Sequence, residues 1–115
     1  MVKTVLPGRP ARGSRSGRPI MALLDLLGRR WTLRIVWELR EAPRRFRELQ
    51  DLIGASPTIV NARLGELREA RLVELDAEAG YRLTALGREL LRLFLPLHLW
   101  SEKWAKALAS ARRAS

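Results

Sequence analysis

Thr58, Asn61, Ala62 and Gly65 share one side of a predicted helix, and their side chains offer hydrogen bonds and small apolar contacts rather than proton or group transfer. That helix begins at Ser56-Pro57, where a serine hydroxyl can accept from the open amides of a first turn. Proline fits the first helical position because its missing N–H needs no partner there. Val60, Leu64 and Leu67 recur at i, i+4 and i+7 and claim the opposite side for a core. The outward set suits a surface that meets base edges: Asn for adenine, an Ala methyl for thymine, Thr for a base or a phosphate, Gly where backbone must come close. The bland alternative is the solvated face that any amphipathic helix carries. Arg63 and Arg68 lie toward the flanks, where they can reach phosphates or rest on the domain surface as snorkelling side chains.

The elements on either side raise the weight of the first reading. Phe46 to Ile53 reads as a helix with Phe46, Leu49, Leu52 and Ile53 on its inner face, and it stops at Gly54, two residues before the next cap. After the second helix, Leu72-Val73-Glu74-Leu75 and Tyr81-Arg82-Leu83-Thr84 are β-prone runs joined by Asp76 to Gly80, which predicts a hairpin. Helix, tight turn, helix and hairpin is the grammar of a winged helix-turn-helix reader of double-stranded DNA. The hairpin tip carries Asp76 and Glu78, so only a weak wing contact is expected, through Arg82 or Arg71. Arg45, just before the first helix of the pair, joins Ser56, Pro57 and the outward residues as a candidate DNA contact, and Arg44 to Phe46 suggests a short edge strand beside the hairpin.

Gly28-Arg29-Arg30-Trp31-Thr32-Leu33, Arg45-Phe46-Arg47-Glu48-Leu49, Ser56-Pro57, Arg63-Leu64-Gly65-Glu66-Leu67, Leu83-Thr84-Ala85-Leu86-Gly87 and Trp100 stand in one order along the chain. Together they resemble the HxlR-type branch of winged helix-turn-helix transcriptional regulators, over Pro19 to Trp104. The resemblance implies a prokaryotic homodimer built by the first and last helices, with a recognition helix beginning at Ser56. Many members of that family carry a redox-active cysteine just before a proline near the N-terminus. Here Arg18 precedes Pro19 and the sequence holds no cysteine, which excludes thiol sensing by this chain. Family wings are also usually longer, with prolines and a basic residue, which places minor-groove insertion by this wing in question.

A chain of 115 residues supports one domain with a single modest core. Its net charge of +10 points to an acidic partner, and half of that excess sits in residues 1–19, where Lys3, Arg9, Arg12, Arg15 and Arg18 meet no acid. This Gly-, Pro-, Ser- and Arg-rich stretch is expected to be a flexible basic arm that tracks phosphates or idles, ahead of a folded unit over 20–109 and a short flexible tail over 110–115. An organellar transit peptide has a similar composition, but the prokaryotic resemblance argues against one. No secretory apolar region and no run near the ~20 residues of a membrane span is present, so a cytoplasmic protein, nucleoid-associated when bound, is expected without membrane contact.

Upstream of the reader, Ile20 to Leu27 and Arg29 to Arg40 read as two helices. The second carries Trp31, Ile35, Val36 and Leu39 on one arc and Leu33 and Trp37 on another, so it needs neighbours on two sides. Downstream, Thr84 can cap a helix from Leu86 to about Leu95, and Pro96 either kinks it or opens another. Leu93, Leu97, Trp100, Trp104 and Leu108 then form a stripe too apolar for solvent, for which a symmetric second copy is the economical cover, against a fold-back onto the same subunit. Trp37, Phe94 and Trp100 could line a pocket for a small apolar effector or simply pack as core.

His98 is the single histidine, the acids are scattered, and the glycines form no phosphate cradle, so neither a metal set nor a catalytic arrangement can be assembled, and no cofactor is expected. His98 itself is expected at the dimer seam or in solvent. Two functions remain from the sequence: a repressor-like homodimer that reads a pseudo-palindromic operator, or a winged-helix module that holds protein or RNA without reading bases.

Overall fold

The computed structural model describes Leu6, Pro7 and residues 18–114. Most of the predicted basic arm, residues 1–5 and 8–17, lies outside the described residues, as does Ser115. The order of elements is α1 (Pro19–Leu27), α2 (Thr32–Glu38), α3 (Phe46–Ile53), α4 (Pro57–Glu69), β1 (Val73–Asp76), β2 (Gly80–Leu83), α5 (Ala85–Phe94) and α6 (Pro96–Ala114). This is the mostly helical fold with a two-stranded hairpin that the periodicity predicts.

Helix α2 is the hub. Ile35, Val36 and Leu39 are buried while Leu33 and Trp37 are half-buried, and α1, α3, α4 and α5 all pack against it, as the need for neighbours on two sides requires. Its start differs from the expected Arg29: the helix begins at Thr32, because Trp31 adopts a left-handed backbone with φ 79° and Arg29 to Trp31 form a turn. Positive φ is unfavourable for so bulky a residue. Ion pairs anchor the turn, since Arg29 meets Asp25 of α1 at 3.1 Å and Glu66 of α4 at 2.7 Å.

Val60, Leu64 and Leu67 of α4, with Leu49 of α3 and Ile35 and Val36 of α2, form the driest part of the core. Burying several such side chains contributes on the order of 1.5–3 kcal/mol each before chain entropy is subtracted. Leu52 departs from its expected inward position and lies exposed on α3, where its carbonyl accepts from the Arg34 guanidinium at 2.8 Å.

The hairpin is antiparallel, with Val73 opposite Leu83 and Leu75 opposite Tyr81, and it starts and ends one residue away from the predicted runs. Gly80 has φ 100°, and a Cβ there would lie 2.5 Å from the Arg44 carbonyl oxygen, so the approach needs glycine. That approach is the expected edge strand, reduced to one bridge in which Arg44 and Tyr81 exchange two hydrogen bonds of 2.8 Å.

Thr84 caps α5 by accepting from the Gly87 amide, as its position predicts. Pro96 opens a new helix instead of kinking the old one. The result, α6, runs 19 residues to Ala114, well beyond residue 109 and through most of the segment expected to be a tail, and none of its residues is buried.

Candidate nucleic-acid interface

Two short-range devices set the angle between α3 and α4. Gly54 ends α3 in a left-handed conformation, φ 76°, which reverses the chain without a Cβ penalty. Ser56 then caps α4, its Oγ accepting from the Ile59 amide at 3.2 Å, with Pro57 in the first turn as its ring prefers. Because Val60, Leu64 and Leu67 are pinned in the core, rotation of α4 about its axis is fixed, and Ser56, Pro57, Thr58, Asn61, Ala62, Gly65 and Arg68 all stand exposed. Ile59 joins them, half-clear of the protein at the N-terminal end of the helix. Sequence periodicity missed Ile59, because an isoleucine next to a core valine carries no mark of facing outward.

The predicted arginines divide into two groups. Arg63 takes a different place from the expected flank: its guanidinium is mostly buried and meets Glu66 Oε1 at 2.8 Å. Glu66 is itself buried and also holds Arg29, so α1, the turn after it and α4 are tied by a chain of charges from Asp25 to Arg63. The sequence shows its acids only as scattered, and the structure turns Glu66 inward. Removing one member of such a network leaves a buried charge uncompensated, at a cost of about 3–5 kcal/mol. By contrast Arg68 is exposed and has no acidic partner among the described residues, and the same holds for Arg47 and for Arg71, whose φ is 62°.

Arg82 on the hairpin and Arg45 beside it are already engaged. Arg82, expected to make a weak wing contact, sits 2.9 Å from Glu74 Oε1 and 3.5 Å from Asp76 Oδ2; the hydrogen bond it donates to Glu74 is the main reason its pKa is raised. Arg45 donates to the Glu78 carbonyl oxygen through its side chain and to Glu48 Oε1 through its backbone amide at 2.9 Å. The tip turn is organised by Asp76, whose Oδ1 accepts from the Ala79 amide at 2.9 Å and the Glu78 amide at 2.8 Å. Those two bonds lower its pKa below the usual carboxylate range.

The apolar stripe lies open. Leu93, Leu97, Trp100, Trp104 and Leu108 are 41–79% exposed, and the Trp100 and Trp104 rings stack with centroids 5.9 Å apart. Trp100 therefore does not join Trp37 and Phe94. Trp37 packs edge-on to Phe94 at 6.2 Å, near the His98 ring at 5.5 Å and under the Arg40 guanidinium at 4.1 Å, beside a cavity of about 290 Å3. His98 is exposed, with Glu102 at 3.4 Å. Among the described residues no cluster of three or more His, Asp or Glu could hold a metal ion, and no helix is long and apolar enough to cross a membrane.

Comparison with known proteins agrees with this geometry. A family described as HxlR-like helix-turn-helix matches residues 26–109. An uncharacterized HTH-type transcriptional regulator of Methanocaldococcus jannaschii is 27% identical over 92 residues, covering 76% of this chain and 86% of the relative. The crystal structure of quinone-bound YodB from Bacillus subtilis superposes with a TM-score of 0.67 at 30% identity, over 73% of this chain and 94% of that one. A possible HxlR family transcriptional factor from Thermoplasma volcanium gives 0.68 at 27% identity, over 76% and 85% of the two chains.

Proposed function

Since this chain belongs to the HxlR-like helix-turn-helix family and is a DNA-binding transcriptional regulator of that kind, we propose that it acts as a repressor-like homodimer reading a pseudo-palindromic operator. The observation that carries this reading is the outward face of α4, where Thr58, Asn61, Ala62 and Gly65 stand exposed while Val60, Leu64 and Leu67 hold the helix in place. In the major groove Asn61 reads a base edge, Ala62 meets a thymine methyl, and Thr58 and the Ser56-Pro57 turn contact base or phosphate. Arg68 neutralises phosphate. Arg45 and Arg82 contribute little while held by Glu78, Glu74 and Asp76, and Arg63 acts from inside by fixing α4. The basic arm adds sequence-independent affinity through its five cations.

Dimerisation through Leu93, Leu97, Trp100, Trp104 and Leu108 supplies the symmetry. Leu93 lies on α5, and Leu97, Trp100, Trp104 and Leu108 lie on α6, a helix with no buried residue of its own; an exposed apolar stripe of this kind is covered when a second copy lays its own stripe against it. Two recognition helices then enter successive major grooves, with half-sites about 10 bp apart or a multiple of that.

Replacing Trp100 and Trp104 together by Ala tests the whole arrangement. Sedimentation should show the parent as a dimer and the variant as a monomer, and gel shifts on a two-half-site operator should show binding weakened by roughly 100-fold or more, although no DNA-facing residue has changed. A parent that is monomeric at tens of micromolar, or a variant that stays dimeric and still binds, overturns the reading. If the parent prefers RNA or a protein partner and gives no shift with its own or the neighbouring gene's promoter DNA, the base-reading role falls to the interaction-module alternative, which the acidic wing tip favours.

A further inference from the structure

Three arginines from two separate stretches of the chain meet at a cavity of about 560 Å3 that DNA reading by α4 does not use. Met21, Leu24 and Asp25 of α1 line it together with Arg29 and Arg30 of the following turn and Arg63 of α4. The volume lies in the range of pockets that hold small organic ligands. Its walls are of two kinds: a thioether and a leucine offer apolar surface, while the guanidiniums offer directed donors.

Among the described residues the local charge is not balanced. Asp25 and the buried Glu66 face three guanidiniums there, which leaves one positive charge in excess. Arg30 has no carboxylate partner among the described residues and rests on the Trp31 ring at 4.7 Å. The Arg63 Nε is buried and finds no acceptor among the described residues. A buried donor left unsatisfied is unfavourable, and a side-chain rotation that brings it to an anionic oxygen would relieve that.

We propose that this cavity binds a small organic monoanion, a carboxylate carried on an apolar body, with the carboxylate between Arg30 and Arg63 and the body against Met21 and Leu24. The ligand acts on DNA binding because Arg63 sits between Ala62 and Leu64 on α4. A carboxylate there competes with Glu66 for the guanidinium and places negative charge beside the face that meets phosphates, so the ligand weakens operator binding, and DNA weakens ligand binding by the same factor. The regulatory half rests on the DNA-reading role proposed above; the binding half does not.

Calorimetric titration of the full chain without DNA, using 2-naphthoate as probe and 2-naphthalenemethanol as its neutral counterpart, tests the binding half. Naphthoate should bind at one site per chain, with the alcohol at least about tenfold weaker, the difference expected of a charged hydrogen bond. Arg63→Met and Arg30→Gln should each lower naphthoate affinity by a similar factor, whereas Trp37→Leu, at the separate cavity near α5, should not. Arg63→Met disturbs the partner of a buried acid and could unfold the chain; Arg30 is exposed and, among the described residues, stacks on Trp31 without an acidic partner, so Arg30→Gln keeps the test decisive. Equal binding of acid and alcohol, undiminished binding in Arg30→Gln, or loss only in Trp37→Leu overturns the site. Saturating naphthoate that leaves operator affinity unchanged overturns the regulatory link while the site stands, and a chain that binds naphthoate but no DNA overturns the DNA-reading role instead.

Discussion

Helix α4 and the β1–β2 hairpin are the two elements that a winged helix-turn-helix presents to DNA, and in this protein they treat their polar groups in opposite ways. On α4 the outward residues Thr58, Asn61 and Arg68 are exposed, and none of them is engaged in an ion pair among the described residues. On the hairpin, Arg82 is held by Glu74 and Asp76 and the tip amides by Asp76, and the Glu78 carbonyl holds Arg45 at the start of α3. A guanidinium already paired must give up its carboxylate before it can take a phosphate, and the remaining carboxylate then repels the same phosphate. Net charge counts cations, whereas binding depends on cations whose partners are not already within the protein. The contrast supports the proposed readout by α4 and leaves the hairpin, with Glu74, Asp76 and Glu78 against Arg82, as an acidic flank.

The strongest way to break that contrast is a paired substitution. Asn61→Ala should weaken binding to the cognate operator by about 1–3 kcal/mol and to random DNA much less, as a lost base contact does. Arg82→Gln should change either affinity by less than about 0.5 kcal/mol, within the range of an exposed ion pair. Competition anisotropy with both DNAs measures the two side by side. An equal fall on both DNAs for Asn61→Ala would make that residue a positioning contact, and a large loss for Arg82→Gln would return the wing to the interface.

A smaller effect sharpens the comparison from the other side. Replacing Glu74 by Gln and Asp76 by Asn together leaves Arg82 without its carboxylates while keeping acceptors at the turn. The freed guanidinium should then reach phosphate, so that the slope of log K against log salt becomes steeper by up to about 0.9. An unchanged slope would mean that the wing is too far from the duplex for its charge to matter, and that its acids are not what silences it.

How far the sequence could be read follows the range of the forces involved. Helix α3 and the start of α4 were legible because their signals are local: Gly54 stops one helix, and Ser56-Pro57 opens the next within the same few residues. The Val60, Leu64 and Leu67 face was legible because a core imposes one period on a helix. The place of Arg63 was not, since nothing near it in sequence shows that Glu66 turns inward to meet Arg29 of a distant turn. The same holds for Trp31, whose left-handed backbone is set by contacts around the α1–α2 turn rather than by its own preference. Leu52 and Ile59 were misplaced or missed because an apolar residue at the edge of a helical face has no sequence mark for which side it joins. The run to Ala114 was hidden by the Ser- and Arg-containing end of the chain, where composition argues for a tail although Ala, Lys and Arg are all good helix formers.

Gly65 tests the same contrast at a finer scale, because one substitution should move two measurements in opposite directions. It lies inside α4, exposed, with ordinary helical neighbours on both sides, and a Cβ built there meets nothing within 4 Å. The fold therefore gives no steric reason for glycine at this position, and a glycine in a helix interior is less stable than alanine by about 0.5–1 kcal/mol. Gly65→Ala should accordingly raise the thermal midpoint of the free protein by a few degrees, roughly what a change of that size gives in a domain near 100 residues. If the backbone at Gly65 approaches DNA closely, the same methyl fills the space that the duplex needs, and operator affinity falls even as stability rises. Thermal unfolding and operator titration of one variant decide the matter. A stabilised protein that binds its operator unchanged would confine readout to the first two turns of α4, around Thr58 and Asn61, and leave the glycine with no role in contact. A destabilised protein would mean that α4 is turned differently from the rotation that its buried valine and leucines fix.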